Sequence, residues 1–239
     1  MKKVIGHIRA AIDSYNMINN NDTIAIGVSG GKDSLVLLFS LVELMKYYTK
    51  PFNIVAITID PCFNNKQMDC SKIEELCRRH NVKYIIKRTS LGNVVFEERK
   101  EKNPCSLCAK MRRGILHKIA KENGCNKIAL GHHCDDAIET FFMNLFNGGR
   151  INCFSPVTYL PNRDLWLIRP MVFCYEKDIS SFSTRYNLPV EKSCCPVNGV
   201  TERQNIKDLI SILEKRYPEL KKKTIGAIQR ANIDKWELL

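Results

Sequence analysis

The sequence predicts an α/β fold: a parallel, doubly wound sheet of about five strands with a short helical C-terminal extension. Three observations carry that expectation. Short β-branched runs alternate with helix-period segments along the chain; the first such run enters a glycine-rich turn at 27–34; and a second glycine, Gly131, opens another strand-to-helix turn. Alternating strands and helices form right-handed crossovers, which put helices on both faces of the sheet. Ligands of such sheets bind beyond the C-terminal strand ends, where both glycine turns fall.

The elements follow in order. Val4, Ile8, Ala11, Ile12 and Tyr15 share one side of a helix over 4–18. Thr23-Ile24-Ala25-Ile26 begins a strand at about 23–28. A helix over 33–48 turns Leu37, Leu38, Leu41, Leu44 and Met45 inward and stops before Pro51. A second, buried strand is read at 53–59, a helix at 70–80 and a third strand at 83–87. A helical region at about 92–124 is broken at Pro104. The fourth strand, 127–130, ends at Gly131, and the helix over 135–147 stops at Gly148-Gly149. The segment 148–164 reads as the longest loop. A fifth strand at 165–168 stops at Pro170, and helices at about 176–186, 201–215 and 218–231 follow. Residues 1–190 are read as a nucleotide-binding domain with an inserted helical segment that carries C-x-x-C. Residues 191–239 are read as a cysteine-bearing extension.

At 239 residues, 44% hydrophobic and 26% charged, the chain can bury a full core. No stretch approaches the roughly 18 apolar residues of a membrane span, and the first residues lack a signal-peptide core, so a cytoplasmic location is expected. The net charge of +12 favours a polyanionic partner. The positive residues crowd two regions, Arg99 to Lys121 and Lys215 to Arg230, neither on an obvious aromatic amphipathic helix, so nucleic acid fits better than a membrane. Eleven cysteines, an odd count in a chain expected to be cytosolic, argue for metal or redox chemistry over a disulfide framework, with most of them packing as small hydrophobes.

The turn reads Gly27-Val28-Ser29-Gly30-Gly31-Lys32-Asp33-Ser34. Its glycines let backbone N–H groups close on an anion at a helix N-terminus, with Lys32 as a mobile charge and Ser34 as a hydroxyl. It is not a Walker A loop, because Asp33 stands where Ser or Thr would follow the lysine. The second turn, Gly131-His132-His133-Cys134-Asp135-Asp136, sets two carboxylates at a helix start, suited to Mg²⁺. The two histidines read as shape and hydrogen-bond residues. Pro104-Cys105-Ser106-Leu107-Cys108 places two thiols at the start of a basic helix, whose end favours thiolate. With Cys194 and Cys195 downstream, spacing alone leaves zinc and an iron–sulfur cluster equally open.

Ser29 to Ser34 resembles the PP-loop, S-G-G-x-D-S, of ATP pyrophosphatases. Taken with P-C-S-L-C-A (104–109), R-R-G (112–114) and G-H-H-x-D-D-x-x-E-T-x-x-x-N-x-x-x-G-G (131–149), the chain resembles the tRNA 2-thiocytidine synthetase (TtcA) family. Arg169-Pro170-Met171, Glu176-Lys177-Asp178-Ile179 and Arg203-Gln204-Asn205-Ile206 match its style. The resemblance implies an adenine-nucleotide α-hydrolase-like sheet and an ATP-dependent tRNA sulfurtransferase that adenylates a pyrimidine C2 oxygen and replaces it with sulfur. It implies ATP, Mg²⁺ and a 4Fe-4S cluster as cofactors, tRNA and a sulfur donor (a cysteine desulfurase or free sulfide) as partners, and a homodimer. It places nucleotide binding on Ser29, Gly30, Gly31, Lys32, Asp33, Ser34, Gly131, Asp135 and Asp136. The catalytic residues it implies are Lys32, Asp33, Cys105, Cys108 and Cys195. The three cysteines are the implied cluster ligands, Cys195 being located by counting back from Arg203, with Cys194 in reserve. Cys134 between the His and Asp pairs, and the adjacent Cys194-Cys195, depart from the family pattern. The alternatives are a sulfur-independent PP-loop enzyme such as a lysidine synthetase, or a non-enzymatic nucleotide- and zinc-binding RNA module.

Overall fold

The computed structural model describes residues 2–99, 104–191, 195 and 202–238. Six strands form one sheet: β1 (Asp22–Gly27), β2 (Phe52–Asp60), β3 (Lys83–Arg88), β4 (Lys127–Ala129), β5 (Val157–Leu160) and β6 (Leu165–Ile168). Their spatial order is β3-β2-β1-β4-β6-β5. β1, β2, β3, β4 and β6 are mutually parallel, which accounts for the five expected strands. β5 is a sixth, antiparallel to β6 at the sheet edge, and it lies within the segment expected to be loop. Val157-Thr158-Tyr159-Leu160 has strand-forming residues, but Pro156 and Pro161 bracket it to four positions, too few for alternation to stand out.

The helices are α1 (Lys2–Ser14), α2 (Lys32–Met45), α3 (Ser71–Arg79), a short α4 (Leu91–Asn93) continued by a π-helical turn (Val94–Glu98), α5 (Pro104–Glu122), α6 (Cys134–Gly148), α7 (Glu176–Arg185), α8 (Glu202–Arg216) and α9 (Leu220–Arg230). α1 ends earlier than its periodicity suggests, because Asn16 takes a left-handed φ of 46° and turns the chain toward β1. Pro104 begins α5 at the position where a missing N–H costs nothing.

Successive residues of a central strand enter opposite faces of the sheet. Ile24 and Ile26 join a large core with α1, α2, α3, α6 and α7, while Ala25 joins a smaller core beneath α4 and α5. Ile54 and Ala56 of β2 go to the first, Val55, Ile57 and Ile59 to the second. Residues 202–238 share the large core: Ile206, Ile210, Ile225, Ile228 and Trp236 are buried in it. Trp236 donates through Nε1 to the Phe154 carbonyl at 2.7 Å, and its own carbonyl accepts from the Tyr15 hydroxyl at 3.0 Å.

β1 has β2 on one side and β4 on the other, with the chain departing in opposite directions. The crevice outside the C-terminal ends of β1 and β4 is therefore the place where an open α/β sheet binds ligands.

Candidate functional site

The loop from β1 to α2 is braced by its own serines. Ser34 Oγ donates to the Gly31 carbonyl at 2.9 Å and accepts from the Ser29 N–H at 3.1 Å, while Ser29 Oγ accepts from the Gly31 N–H at 3.3 Å. Gly30 has a φ of +82°, which an L side chain rarely adopts. Gly31 is the N-cap of α2 and provides no side-chain cap, so the first N–H groups of the helix remain open for an anion.

The second loop docks against the first. A Cβ on Gly131 would stand 3.2 Å from the Asp33 carbonyl carbon and 3.2 Å from the Ser34 nitrogen. Only glycine lets the two turns approach this closely. His133 then caps α6 reciprocally with Asp136: the His133 N–H donates to Asp136 Oδ2 at 2.9 Å, and the Asp136 N–H donates to His133 Nδ1 at 3.4 Å. His133 Nε2 also lies 3.9 Å from Asp33 Oδ1.

Four carboxylates behind these loops are met by cations from the C-terminal half. Lys32 Nζ lies 3.3 Å from Asp33 Oδ1 and donates to Glu176 Oε1 at 3.0 Å, and Lys207 donates to Glu176 Oε2 at 2.6 Å. Burial raises the Glu176 pKa, but the bonds from Lys207 and Lys32 outweigh it and hold the carboxyl at about 2. Asp135 accepts from the Glu176 N–H at 2.7 Å and from Lys221 Nζ at 2.6 Å. Arg203 reaches Asp136 at 2.9 Å, Glu139 at 3.2 Å and Thr140 at 3.3 Å. Burial and neighbouring Asp136 push Glu139 up against the pull of Arg203. A cleft of 630 Å³ opens behind Asp135 and Glu176, walled by Tyr175, Lys177, Glu214 and Lys221. Lys221 thus turns inward, away from the solvent-facing role expected of the C-terminal lysines.

The carboxylates expected at Mg²⁺ now separate. Asp135 and Asp136 both have strong protein partners, whereas Asp33 Oδ1 is buried without a hydrogen bond. That oxygen, which faces Lys32 Nζ at 3.3 Å but makes no hydrogen bond, fits a hard cation at the mouth of the phosphate loop.

The thiols lie on the other side of the loop. α5 crosses the end of β1, where a Cβ on Gly27 would meet Leu116 Cδ2 at 3.1 Å. Cys108 is eight residues up the same helix, about 12 Å away. Cys105 is exposed and Cys108 buried. Downstream, the Glu191 N–H donates to the Gly30 carbonyl at 3.0 Å, tying that strand of chain to the phosphate loop. Cys195 is four residues further, so chain length keeps it within about 14 Å of that anchor. Burial raises the Cys108 pKa, Arg112 lowers it, and the charges of Cys195 and Cys105 raise it further, so both of those residues lie near enough to Cys108 to act on it. Among the described residues no group of three or more His, Cys, Asp or Glu side chains stands ready to hold a metal ion. In chemistry, a donor set of thiols at Cys105, Cys108 and Cys195 with the Arg112 guanidinium near Cys108 suits an iron–sulfur group. Cys194 lies outside the described residues. Cys134 is buried in the large core, where desolvation raises its pKa, and so packs as a small hydrophobe.

Sequence reasoning gave no site role to Glu176, Lys207 or Arg203. They are single charged residues on ordinary helices, and the only signal was that Glu176 and Arg203 open segments with a family style, Lys207 following the second directly.

The sequence model of the PP-loop domain family matches residues 4–192. A tRNA-cytidine(32) 2-sulfurtransferase from Geotalea uraniireducens is 38% identical, with 99% of this chain and 94% of that protein covered. One from Citrifermentans bemidjiense is 35% identical, covering 96% of this chain and 91% of the relative. The U34-tRNA thiolase NcsA from Methanococcus maripaludis, solved with its 4Fe-4S cluster, superposes with a TM-score of 0.77 at 25% identity, over 95% of this chain and 77% of that one. An NH3-dependent NAD synthetase from Campylobacter jejuni shares the fold at a TM-score of 0.51 and 14% identity, over 93% of this chain and 86% of that one. Among the described residues no helix is long and apolar enough to cross a membrane. The phosphate loop, the glycine-dependent contact of the second loop and these similarities over nearly the whole chain lead to one assignment: the chain belongs to the PP-loop domain family and, within it, to the tRNA 2-thiocytidine synthetase (tRNA-cytidine(32) 2-sulfurtransferase) family.

Proposed function

We propose that this protein is an ATP-dependent tRNA sulfurtransferase of the 2-thiocytidine type. The observation that carries the reading is the uncapped helix start at the phosphate loop, supported by a Cys108 thiol that feels Cys105 and Cys195, in a chain whose relatives bear that activity's name.

A pyrimidine C2 oxygen is a poor leaving group and must first be converted to an adenylate. The backbone N–H groups of residues 30–34 and Lys32 hold the triphosphate and stabilise charge developing on departing pyrophosphate. Asp33, whose Oδ1 makes no hydrogen bond, is the carboxylate we assign to Mg²⁺, and Asp135 and Asp136 hold the cations that shape the cradle. Gly131 keeps the two turns in contact. Cys105, Cys108 and Cys195 are the residues we assign to hold a 4Fe-4S cluster, which when bound would supply the sulfur-carrying chemistry by which sulfide displaces AMP from the activated base. The target base must leave its stack to reach the site, which suits an unpaired loop nucleotide. Arg112 and Arg113 on α5 position RNA phosphates without reading sequence. We further propose that residues 1–190 carry nucleotide chemistry while 191–239 supply the third thiol and the neutralising cations. A cysteine desulfurase or free sulfide as donor, a homodimer and a cytoplasmic location complete the reading.

The test is anaerobic purification with iron and sulfide analysis, joined to nucleoside mass spectrometry of tRNA from a deletion strain. Bound iron and loss of 2-thiocytidine are expected. Iron-free protein together with unchanged thiolation would sink the reading and favour a sulfur-independent PP-loop enzyme.

A further inference from the structure

Two Lys or Arg side chains are buried among the described residues, Lys127 and Arg169. The fold treats them differently. Lys127 is fully answered, with Asp22 Oδ2 at 2.8 Å and the Met17 carbonyl at 2.8 Å. Arg169, 8% exposed, has no carboxylate partner among the described residues. Its Nη1 donates to the Ser155 carbonyl at 2.6 Å and to Thr158 Oγ1 at 3.3 Å, and its guanidinium lies 5.0 Å from the centre of the Phe154 ring. Its Nε is buried with no partner, and Nη2 makes no hydrogen bond among the described residues. An unpaired buried charge is costly unless something supplies the counter-charge.

The surroundings add positive charge. Arg113 of α5 acts electrostatically on Arg169, and the nearby Cys153 thiol, pushed up to about 12 by burial, stays neutral. The His132 ring packs 5.2 Å from Phe154, and its Nδ1 is also buried without a partner. Arg169 follows β6 directly, and the Leu130 N–H donates to the Ile168 carbonyl at 3.0 Å, which sets Arg169 beside the Gly131 turn. Two strand spacings, about 10 Å, separate it from β1 and its phosphate loop. Arg169 thus flanks the second loop, with β4 between it and the strand that carries the phosphate loop. Its cationic neighbour Arg113 belongs to the thiol-bearing helix, so the counter-charge is one that α5 and the second loop can share.

We propose that Arg169, with Arg113, forms a binding site for a phosphodiester of the RNA strand beside the target nucleotide, gripped by the guanidinium that lacks a carboxylate partner. This inference rests on the reading of the protein as a tRNA-modifying enzyme. Arg169 is a positioning residue: it fixes the strand so that the extruded base meets the nucleotide.

The experiment measures binding of bulk tRNA from a deletion strain to the full chain across a salt series, alongside binding of a non-hydrolysable ATP analogue. R169Q should weaken tRNA binding about tenfold and reduce the slope of log K against log salt by about 0.7, with ATP-analogue affinity unchanged. R169K should keep the slope but lose affinity, since it keeps the charge and loses the planar fork. Should R169Q fail to melt cooperatively, R113Q, on the exposed side of α5, must show the same loss of slope. Wild-type affinity and slope in R169Q or in R113Q would overturn the proposal while leaving the enzyme assignment standing. A loss confined to the ATP analogue would give the anion to the nucleotide and overturn it as well. Wild-type protein that binds no tRNA would remove the enzyme assignment, and this site with it.

Discussion

Lys32 Nζ stands 3.0 Å from Glu176 Oε1, so the lysine of the phosphate loop is aimed by a residue 144 positions away on α7. Lys207 of α8 holds the other oxygen of the same carboxylate at 2.6 Å. The active conformation of the loop is thereby a property of three helices at once.

Replacing Glu176 with Gln should weaken ATP binding about tenfold, because Lys32 loses its charged partner. It should also change stability in a pH-dependent way. The carboxyl is held at about 2 in the fold against 4.5 unperturbed, so the native state prefers the charged form. Its stabilising contribution is complete above about pH 4.5 and is lost as pH falls through about 2. Urea melts of wild type and E176Q should differ at about pH 7 and converge toward about pH 2.

Gly131→Ala places a methyl 3.2 Å from the backbone of Asp33 and Ser34, neither of which is a flexible side-chain end. A stability cost of about 1–3 kcal/mol is expected, as for overpacking elsewhere. ATP affinity should fall with it, since the two loops must separate. Calorimetric titration with ATP checks this; unchanged affinity would show that the contact of the two turns is not needed for the nucleotide.

Cys105 is exposed at the start of α5, so Cys105→Ala should alter stability by no more than about 0.5 kcal/mol. Iron content and thiolation should nevertheless be lost while ATP binding persists. Thermal melts, iron analysis and nucleoside mass spectrometry on one preparation separate these quantities, and full thiolation in the variant would remove Cys105 from the ligand set.

Lys221 and Lys222 are neighbours with opposite duties. Lys221 neutralises buried Asp135 at 2.6 Å, whereas Lys222 meets exposed Glu219 at 3.2 Å. Lys221→Ala should cost about 1–3 kcal/mol by leaving a buried carboxylate poorly paired. Lys222→Ala should cost less than about 0.5 kcal/mol. Equal denaturant midpoints for the two variants would refute the assignment of Lys221.

The parallel strands and both ligand loops were legible because their signals are local. Thr23 to Ile26 followed by Gly27 announces strand and turn within a few residues, and Gly131 does the same after β4. β5 escaped because a four-residue strand between two prolines has no period to read. In the site, Asp135 and Asp136 were visible as a pair at a helix start, but their partners were not. Lys221 lies 86 residues from Asp135, and Arg203 lies 67 from Asp136. Nothing in local spacing reports a pairing of that range. Arg169 was visible only as part of an Arg-Pro-Met segment, because burial without a counter-charge is a property of the packed state.

Trp236 joins distant parts of the sequence: its indole is fully buried, and Tyr15, just after α1, bonds to its carbonyl. During synthesis, then, the first helix cannot be sealed into its final environment until residue 236 has been made. Any product that stops before residue 236 would leave Tyr15 and Phe154 without that lid. Degradation, rather than a partly active fragment, is the expected fate of such products.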